Sequence, residues 1–221
     1  MVLSIDIGAY AVHMLYGTNK NGIIEVKNAL SVKIPKESLK KQSTRSRELH
    51  SNLIRTGRAM SGLSTSQTIV TIKAENMIVR RLEVPTGKES EIAAMVRDEM
   101  VHLYNASPTD VIEYKVLGEA EGKISVRAAA MGREIVDYYY SLLGDLKLKP
   151  LAMDTHMNSM SKLFFQRPDI NGTKTRGKCV MLMDLGYDSI MAYIFPTAGE
   201  EISRNIPMGF SDLEGIIDAQ V

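Results

Sequence analysis

The chain has no apolar run approaching the ~20 residues that cross a bilayer, so no transmembrane segment is expected. Its single cysteine, Cys179, leaves no internal disulfide and fits a reducing compartment. No sign of charge dominates. The 27 Lys and Arg face 26 Asp and Glu, for a net charge of +1, which removes any bulk attraction to nucleic acid or to a membrane surface. The N-terminus shows no basic segment followed by an apolar stretch, so no signal peptide is expected. The usual enzyme signatures are missing too. The four histidines, at 13, 50, 102 and 156, have no metal-ligand spacing with the cysteine. There is no Ser/His/Asp motif and no Gly-x-x-x-x-Gly-Lys loop. At 221 residues, 44% hydrophobic, the chain can bury one large core or two small ones. These features together predict a globular cytoplasmic protein.

What is present is organised in short strands and amphipathic helices. Residues 1–35 read as a three-stranded meander with Asn21-Gly22 at a hairpin turn, because both residue types tolerate positive φ. A helix is expected from about Arg47 to Met60, with Leu49, Leu53 and Met60 on one face. "TIVTI" and "MIVRRLEV" read as strands. After Pro85, Thr86-Gly-Lys-Glu89 has capping-box spacing and opens a helix with a stripe of Ile92, Val96, Met100 and Leu103. A hairpin around "EAEG" follows, then a helix with Ile135, Tyr139, Leu142 and Leu146 in line. Residues 86–150 thus form a helix–hairpin–helix insert of βαβ-like character. "MDTHMNSMSKLFF" is read as one helix with Met153, Met157, Met160 and Phe164 on a face, and residues 167–178 as a loop.

An internal repeat stands out. "LSIDIGAYAVHMLY" aligns without a gap on "MLMDLGYDSIMAYI", so that Asp6 falls on Asp184, Gly8 on Gly186, and Ala11-Val12 on Ser189-Ile190. Each copy is an apolar strand, Asp-x-Gly, a tight turn and a second strand. Taken singly, Asp-x-Gly is a turn whose carboxylate caps free amides. Taken twice, the motif describes two turns that can face each other across a cleft. Glycine lets a ligand approach the backbone, and turn amides bind phosphate oxygens. Two carboxylates beside a polyphosphate suit a hydrated Mg²⁺, held by Asp6 and Asp184 through water.

The duplicated strand–DxG–strand resembles the two phosphate motifs of the actin-like ATPase superfamily. The closer resemblance is to the PilM family of type IV pilus assembly, and more distantly to the cell-division FtsA family. It extends over essentially all of the chain. "VPTGKESEIAAMVRDEMVHLY", "DVIEYKVLGE", "VRAAAMGREIVDYYYSLLGDLKLKPLAMD" and "SRNIPMGFSDL" resemble successive PilM segments in order. The resemblance implies an α/β actin-like (ribonuclease H-like) fold. Subdomain 1A would begin at 1–85, a 1C-like insert would fill 86–150, 151–177 would return to 1A, and 178–221 would start subdomain 2A. It implies a cofactor, ATP with Mg²⁺, bound by Asp6, Gly8, Ala9, Tyr10, Asp184, Gly186, Ser189 and Gly209 in a full-length protein. It also implies a cytoplasmic scaffold at the inner face of the cell membrane. Its partner would be the N-terminal tail of an inner-membrane PilN-like protein, in a groove near 1A and 1C. Other pilus platform proteins and self-association are further expectations, and nucleic acid is not one. The alternatives are an active actin-like ATPase and an FtsA-like filament protein.

Departures from the family pattern bear on the site. The first turn offers Ala9, Tyr10 and Ala11, then His13, where the family has hydroxyls and a lysine. Asp154-Thr155-His156 stands where an acidic residue is usual, and Gly209-Phe210 where two glycines are usual. Ser211-Asp-Leu-Glu214 has capping-box spacing and opens a helix with Leu213, Ile216 and Ile217 on its apolar side. The second half-domain, with the adenosine-binding segment, is expected to be missing, which leaves ATP poorly held and no catalytic residue assigned. Residues 33–58 are basic and 83–121 acidic, and both runs are read as solvated faces. Tyr138, Tyr139 and Tyr140 cannot all face inward on one helix, so at least one ring is expected at the surface.

Overall fold

The computed structural model describes residues 1–35, 38, 47–72, 77–166, 169–170, 172–175, 177–197 and 201–218. The chain divides into two compact units. One combines Met1–Lys73 with Ser141–Val221, and the other is Ala74–Tyr140. Residues 36, 37 and 39–46 of the basic run at 33–58 lie outside the described residues.

The first unit is built on the expected meander. Strands β1 (Val2–Ile7), β2 (Ala11–Lys20) and β3 (Ile23–Lys33) pair antiparallel in sequence order. Asn21 and Gly22 at the second turn have φ of 53° and 81°, the two positive values that a tight hairpin of this hand demands. Helix α1 (Arg47–Ser61) then leads to β4 (Gln67–Ile72), which lies parallel to β1. Strand β8 (Lys149–Thr155) adds parallel to β4, giving a five-stranded sheet in the order β3-β2-β1-β4-β8. Leu3 and Ile5 alternate inward on β1, and Val12, Met14, Ile54 and Val70 are likewise essentially inaccessible. Helix α1 lies close because Gly57 has no side chain: a Cβ there would sit 1.9 Å from Met14 Cε. Leu53 is buried as expected, but Met60 is exposed, because the buried stripe runs through His50, Leu53, Ile54 and Gly57 and the last turn passes beyond it.

Two expectations fail around β8. Met153 belongs to β8 rather than to a helix, and helix α4 begins only at His156 (His156–Gln166). The segment 169–174, read as loop, contains the two-residue strands β9 (Asp169–Ile170) and β10 (Thr173–Lys174). Strands β11 (Val180–Leu185), β12 (Ile190–Phe195) and β13 (Ile202–Ile206) form an antiparallel sheet, and helix α5 (Phe210–Asp218) follows. One face of this sheet packs on α4 through Met157, Phe164, Tyr193 and Phe195. On the other face Met181, Met183 and Leu185 are exposed. Leu3 and Ile5, the repeat equivalents of Met181 and Met183, are core, so the two copies share a backbone but not a covering. Residues 178–218 thus belong to the same compact unit as residues 1–73.

The second unit is a split βαβ arrangement. Strand β5 (Ile78–Pro85), helix α2 (Glu89–His102) and strand β6 (Val111–Ala120) would make a parallel crossover. Strand β7 (Lys123–Met131) inserts between β5 and β6, antiparallel to both. Because β5 is a strand of this sheet, the unit starts at Ala74 rather than 86, and it closes at Tyr140. Helix α3 (Arg133–Asp145) carries the expected buried Tyr139 and Leu142 and leaves Tyr140 exposed. The stripe on α2 holds for Ile92, Val96 and Met100, which pack on Leu82, Val126 and Ala128. Leu103 lies past the helix end and is exposed.

Both capping boxes are offset by two residues from their expected positions. The α2 cap is Lys88, whose backbone N–H donates to Glu91 Oε2 at 2.9 Å. A lysine side chain has no acceptor, so only the carboxylate half of the box exists. At α5 the Gly209 N–H donates to Asp212 Oδ2 at 2.7 Å, two residues before the expected Ser211. Leu213 and Ile216 on that helix are exposed.

Candidate functional site

The repeat read from the sequence exists in the backbone. Asp6 pairs with His13 and Ile7 with Val12 across β1 and β2. Asp184 pairs with Met191 and Leu185 with Ile190 across β11 and β12, every residue displaced by the same offset. Each turn closes through its glycine. Gly8 N–H donates to Ala11 O, and Gly186 N–H to Ser189 O, both at 3.0 Å. A side chain at Gly8 would crowd the Ala11 carbonyl at 3.2 Å, so the tight turn itself favours glycine.

The two turns open on one cleft of about 580 Å³. Six of the eight expected ligand-binding residues line it: Asp6, Gly8, Ala9 and Tyr10 from the first turn, Asp184 and Gly186 from the second. Ser189 and Gly209 do not. Ser189 is buried, and its hydroxyl donates to Asp188 Oδ1 at 3.1 Å. Gly209 is pressed on the second turn, where a Cβ would lie 2.3 Å from the Tyr187 carbonyl oxygen.

Residues beyond those eight complete the lining, among them His13, His156 and Phe210, which stand at departures from the family pattern. His156, first residue of α4, places Nε2 3.0 Å from Asp6 Oδ1. With Asp6 ionised, Nε2–H is the donor, and the buried Nδ1 then has no partner. Tyr10 and Tyr187 meet with ring centroids 5.3 Å apart at 36°. The Tyr187 hydroxyl donates to Glu214 Oε2 at 3.1 Å. Burial, then the Glu214 carboxylate, push the Tyr187 phenol above its ordinary range. His13, which stands near the family's lysine position, shares a 2.7 Å hydrogen bond between Nδ1 and Ser31 Oγ. Outside the lining, the fully buried Tyr193 on β12 has its phenol driven upward by burial, then by Asp184 and Asp6. Tyr187 occupies the repeat equivalent of Ala9, so the alignment itself held the signal for it. Nothing local marks His156 as the partner of Asp6.

Helix α4 is fixed by Asp154, which does not line the cleft. It accepts from Lys162 Nζ and Asn158 Nδ2, each at 2.6 Å, and from the Thr155 amide at 2.8 Å. Burial raises this carboxyl, but Lys162, Asn158 and the amide outweigh it and hold it below the ordinary carboxylate range. Asp154→Ala is expected to cost about 2 kcal/mol, since it leaves a lysine and an amide without their acceptor. The sign with pH follows from the lowered value. The contribution is whole above the ordinary carboxylate pKa of ~3.9 and fades as pH falls through the folded value. Urea titrations of both proteins at pH 7 and pH 3 check this. The stability gap between them should shrink in acid, and an equal gap at both pH values counts against the assignment.

A magnesium polyphosphate fits this cleft poorly. Asp6 and Asp184 both line the cavity, but among the described residues no Lys or Arg does. The amides at the start of α5 are already committed: Phe210 N–H to Gly186 O at 3.1 Å and Ser211 N–H to Tyr187 O at 2.8 Å. The Tyr10–Tyr187 contact spans the two turns. Among the described residues no group of three or more His, Cys, Asp or Glu could hold a metal. Nor is any described helix long and apolar enough to cross a membrane.

Comparisons with known proteins bear on the fold and the family. A chain from a structure described as the PilM–PilN type IV pilus biogenesis complex superposes with a TM-score of 0.73 at 17% identity, over 99% of this chain and 65% of its own. This chain therefore spans about 65% of that neighbour's length. The cytoplasmic domain of EpsL, an inner-membrane component of the Vibrio cholerae type II secretion system, superposes at 0.53 with 12% identity, covering 92% of this chain and 71% of its own. At such identities the likeness establishes the fold, which is α/β and actin-like. No curated protein sequence matches the chain. The family model described as type IV pilus assembly protein PilM matches residues 4–209, and with that match over a duplicated strand–turn–strand core, the chain belongs to the PilM family.

Proposed function

We propose that the chain acts in type IV pilus assembly as a binding platform that needs no ATP turnover. Its partner in this reading is the N-terminal tail of a PilN-like inner-membrane protein, met from the cytoplasmic side. The observation that carries the reading is the PilM-family match over residues 4–209, supported by the likeness to a chain of the PilM–PilN complex. The unit Ala74–Tyr140 then corresponds to the 1C-like insert. The cleft's chemistry argues against the rival ATPase reading. Phosphoryl transfer depends on placed positive charge, and among the described residues this lining holds no Lys or Arg. Nucleotide is accordingly held at about millimolar, roughly −4 kcal/mol.

Calorimetric titration of the partner's tail peptide into the chain, with and without Mg-ATP, tests this. An apolar extended peptide gains roughly 25 cal/mol per Å² of buried apolar area, less its ordering cost. The expected result is binding of equal strength in both conditions and no phosphate release. Absence of heat at high micromolar peptide with folded protein, or binding only with Mg-ATP, sinks the proposal.

A further inference from the structure

We propose that the open edge of β6 is a self-association surface. A second copy of this chain pairs there, β6 to β6, antiparallel about a two-fold axis at Tyr114. The inference goes beyond the reading above and does not depend on it.

The sheet of the second unit has the order β5-β7-β6, and its two edges differ. Strand β5 carries Arg80, Arg81 and Pro85. Charged side chains and a residue without an N–H are the usual guards of an edge. Strand β6 carries one cation, Lys115, and among the described residues it pairs only with β7. Its ladder is regular from Val111 to Val116, and a bulge at Leu117 then interrupts it. In the regular stretch every second residue turns its N–H and C=O away from the sheet, toward a further strand. Val116 and Leu117 are 50% and 42% exposed, so this edge is apolar as well as open.

Charge selects the partner and the register. Leu82, Val126 and Ala128 face α2, so alternation puts Arg81, Arg127 and Lys115 on the opposite face. Arg81 lies opposite Arg127, and Arg127 opposite Lys115, one row of cations across the sheet. Like charges directly opposite repel. The row ends at the open edge, where Glu113 shares its face two residues from Lys115. With the axis at Tyr114, Glu113 of the second copy stands opposite Lys115, and Lys115 of the second copy opposite Glu113. Both rows of cations then end on a carboxylate. On the α2 face, Val116 meets Ile112 of the second copy. Moving the axis one residue sets Glu113 against Glu113 or Lys115 against Lys115, so one register alone matches. Such an isologous contact closes on itself, and the bulges keep it from lengthening. Exposed ion pairs add little energy; they choose the register, while backbone hydrogen bonds and Val116 hold it. One strand pair falls below the ~1,200 Å² of a standard interface, so the dimer is weak.

Sedimentation equilibrium of the 221-residue chain tests this. The expected result is a monomer at about 10 µM and a reversible dimer at about 1 mM. Glu113→Lys sets lysine against Lys115 twice, and Lys115→Glu sets glutamate against Glu113 twice. Each variant alone weakens the dimer about tenfold. An equimolar mixture of the two restores it, because every opposed pair is again Lys with Glu. Circular dichroism checks that both fold. Should one fail, amide exchange of the unsubstituted chain decides, and residues 112–116 should slow as concentration rises. A chain still monomeric at the upper concentration, a dimer indifferent to both reversals, or a mixture that stays monomeric overturns the proposal. So does protection of 112–116 by the partner's tail peptide on a monomeric chain. The tail titration reads heat from a peptide and this experiment reads the mass of the chain alone, so either idea can fail without the other.

Discussion

Gly209→Ala is expected to detach α5 from the second turn, the largest local effect of any single methyl in the site. An added Cβ would stand 2.3 Å from the Tyr187 oxygen, 2.5 Å from its carbonyl carbon and 2.8 Å from the Asp188 nitrogen. All three are backbone atoms, so no side chain can rotate out of the way. Retreat of the helix breaks the Phe210 and Ser211 hydrogen bonds to the turn. Overpacking costs about 1–3 kcal/mol, and each lost bond about 1 kcal/mol more. Leu213 and Ile216 are largely exposed, so little apolar burial opposes undocking. We expect amide exchange at 210 and 211 to quicken about 100-fold while the melting temperature barely moves. Tyr187 also loses Glu214. Unchanged exchange at those two amides contradicts the account.

Phe195→Ala is expected to be the most destabilising substitution beneath the cleft. Phe195 is fully buried, and its ring stacks on Phe164 with centroids 4.7 Å apart and planes 8° from parallel. Met157 and Tyr193 close the same cluster. Removing such a ring costs about 3–5 kcal/mol, a large share of the 5–15 kcal/mol that stabilises a typical domain. The site is affected as well. Met157 follows His156 on α4, and Tyr193 stands two residues along β12 from Met191, the strand partner of Asp184, so the cluster holds both elements in register. Urea unfolding measures the loss, with Met60→Ala, at a 67% exposed position, as the contrast. That substitution should stay within about 0.5 kcal/mol. Comparable costs for the two would show that the Phe164–Phe195 cluster is not structural.

The parts of the molecule legible in its sequence are those where one local rule decides. The meander and the Asn21-Gly22 turn follow from alternation and from residues that tolerate positive φ. The repeat survives as identical pairings in both copies, because an aspartate, a glycine and the strand period constrain each turn in the same way. The cap positions were not legible. A carboxylate's reach is plain, but its register depends on where the backbone turns, and both boxes sit two residues from where composition places them. Strand β8 was hidden by Met153, whose spacing to Met157 mimics a helix, and by Pro150 on an exposed edge. Six of the eight expected site residues line the cleft. The Asp6–His156 bond joins positions 150 residues apart, and the tyrosine pair depends on the approach of two distant turns. Neither is written in any local pattern.

The tyrosine pair has an optical consequence. The chain has no tryptophan, so its near-ultraviolet absorption and emission come chiefly from nine tyrosines. Two of them lie 5.3 Å apart at 36°, one on each turn. At that spacing the two chromophores couple. Their dichroic bands change sign and size with the angle between the rings. Any event that parts the turns therefore alters the protein's own colour near 280 nm, and the cleft reports its state without a label.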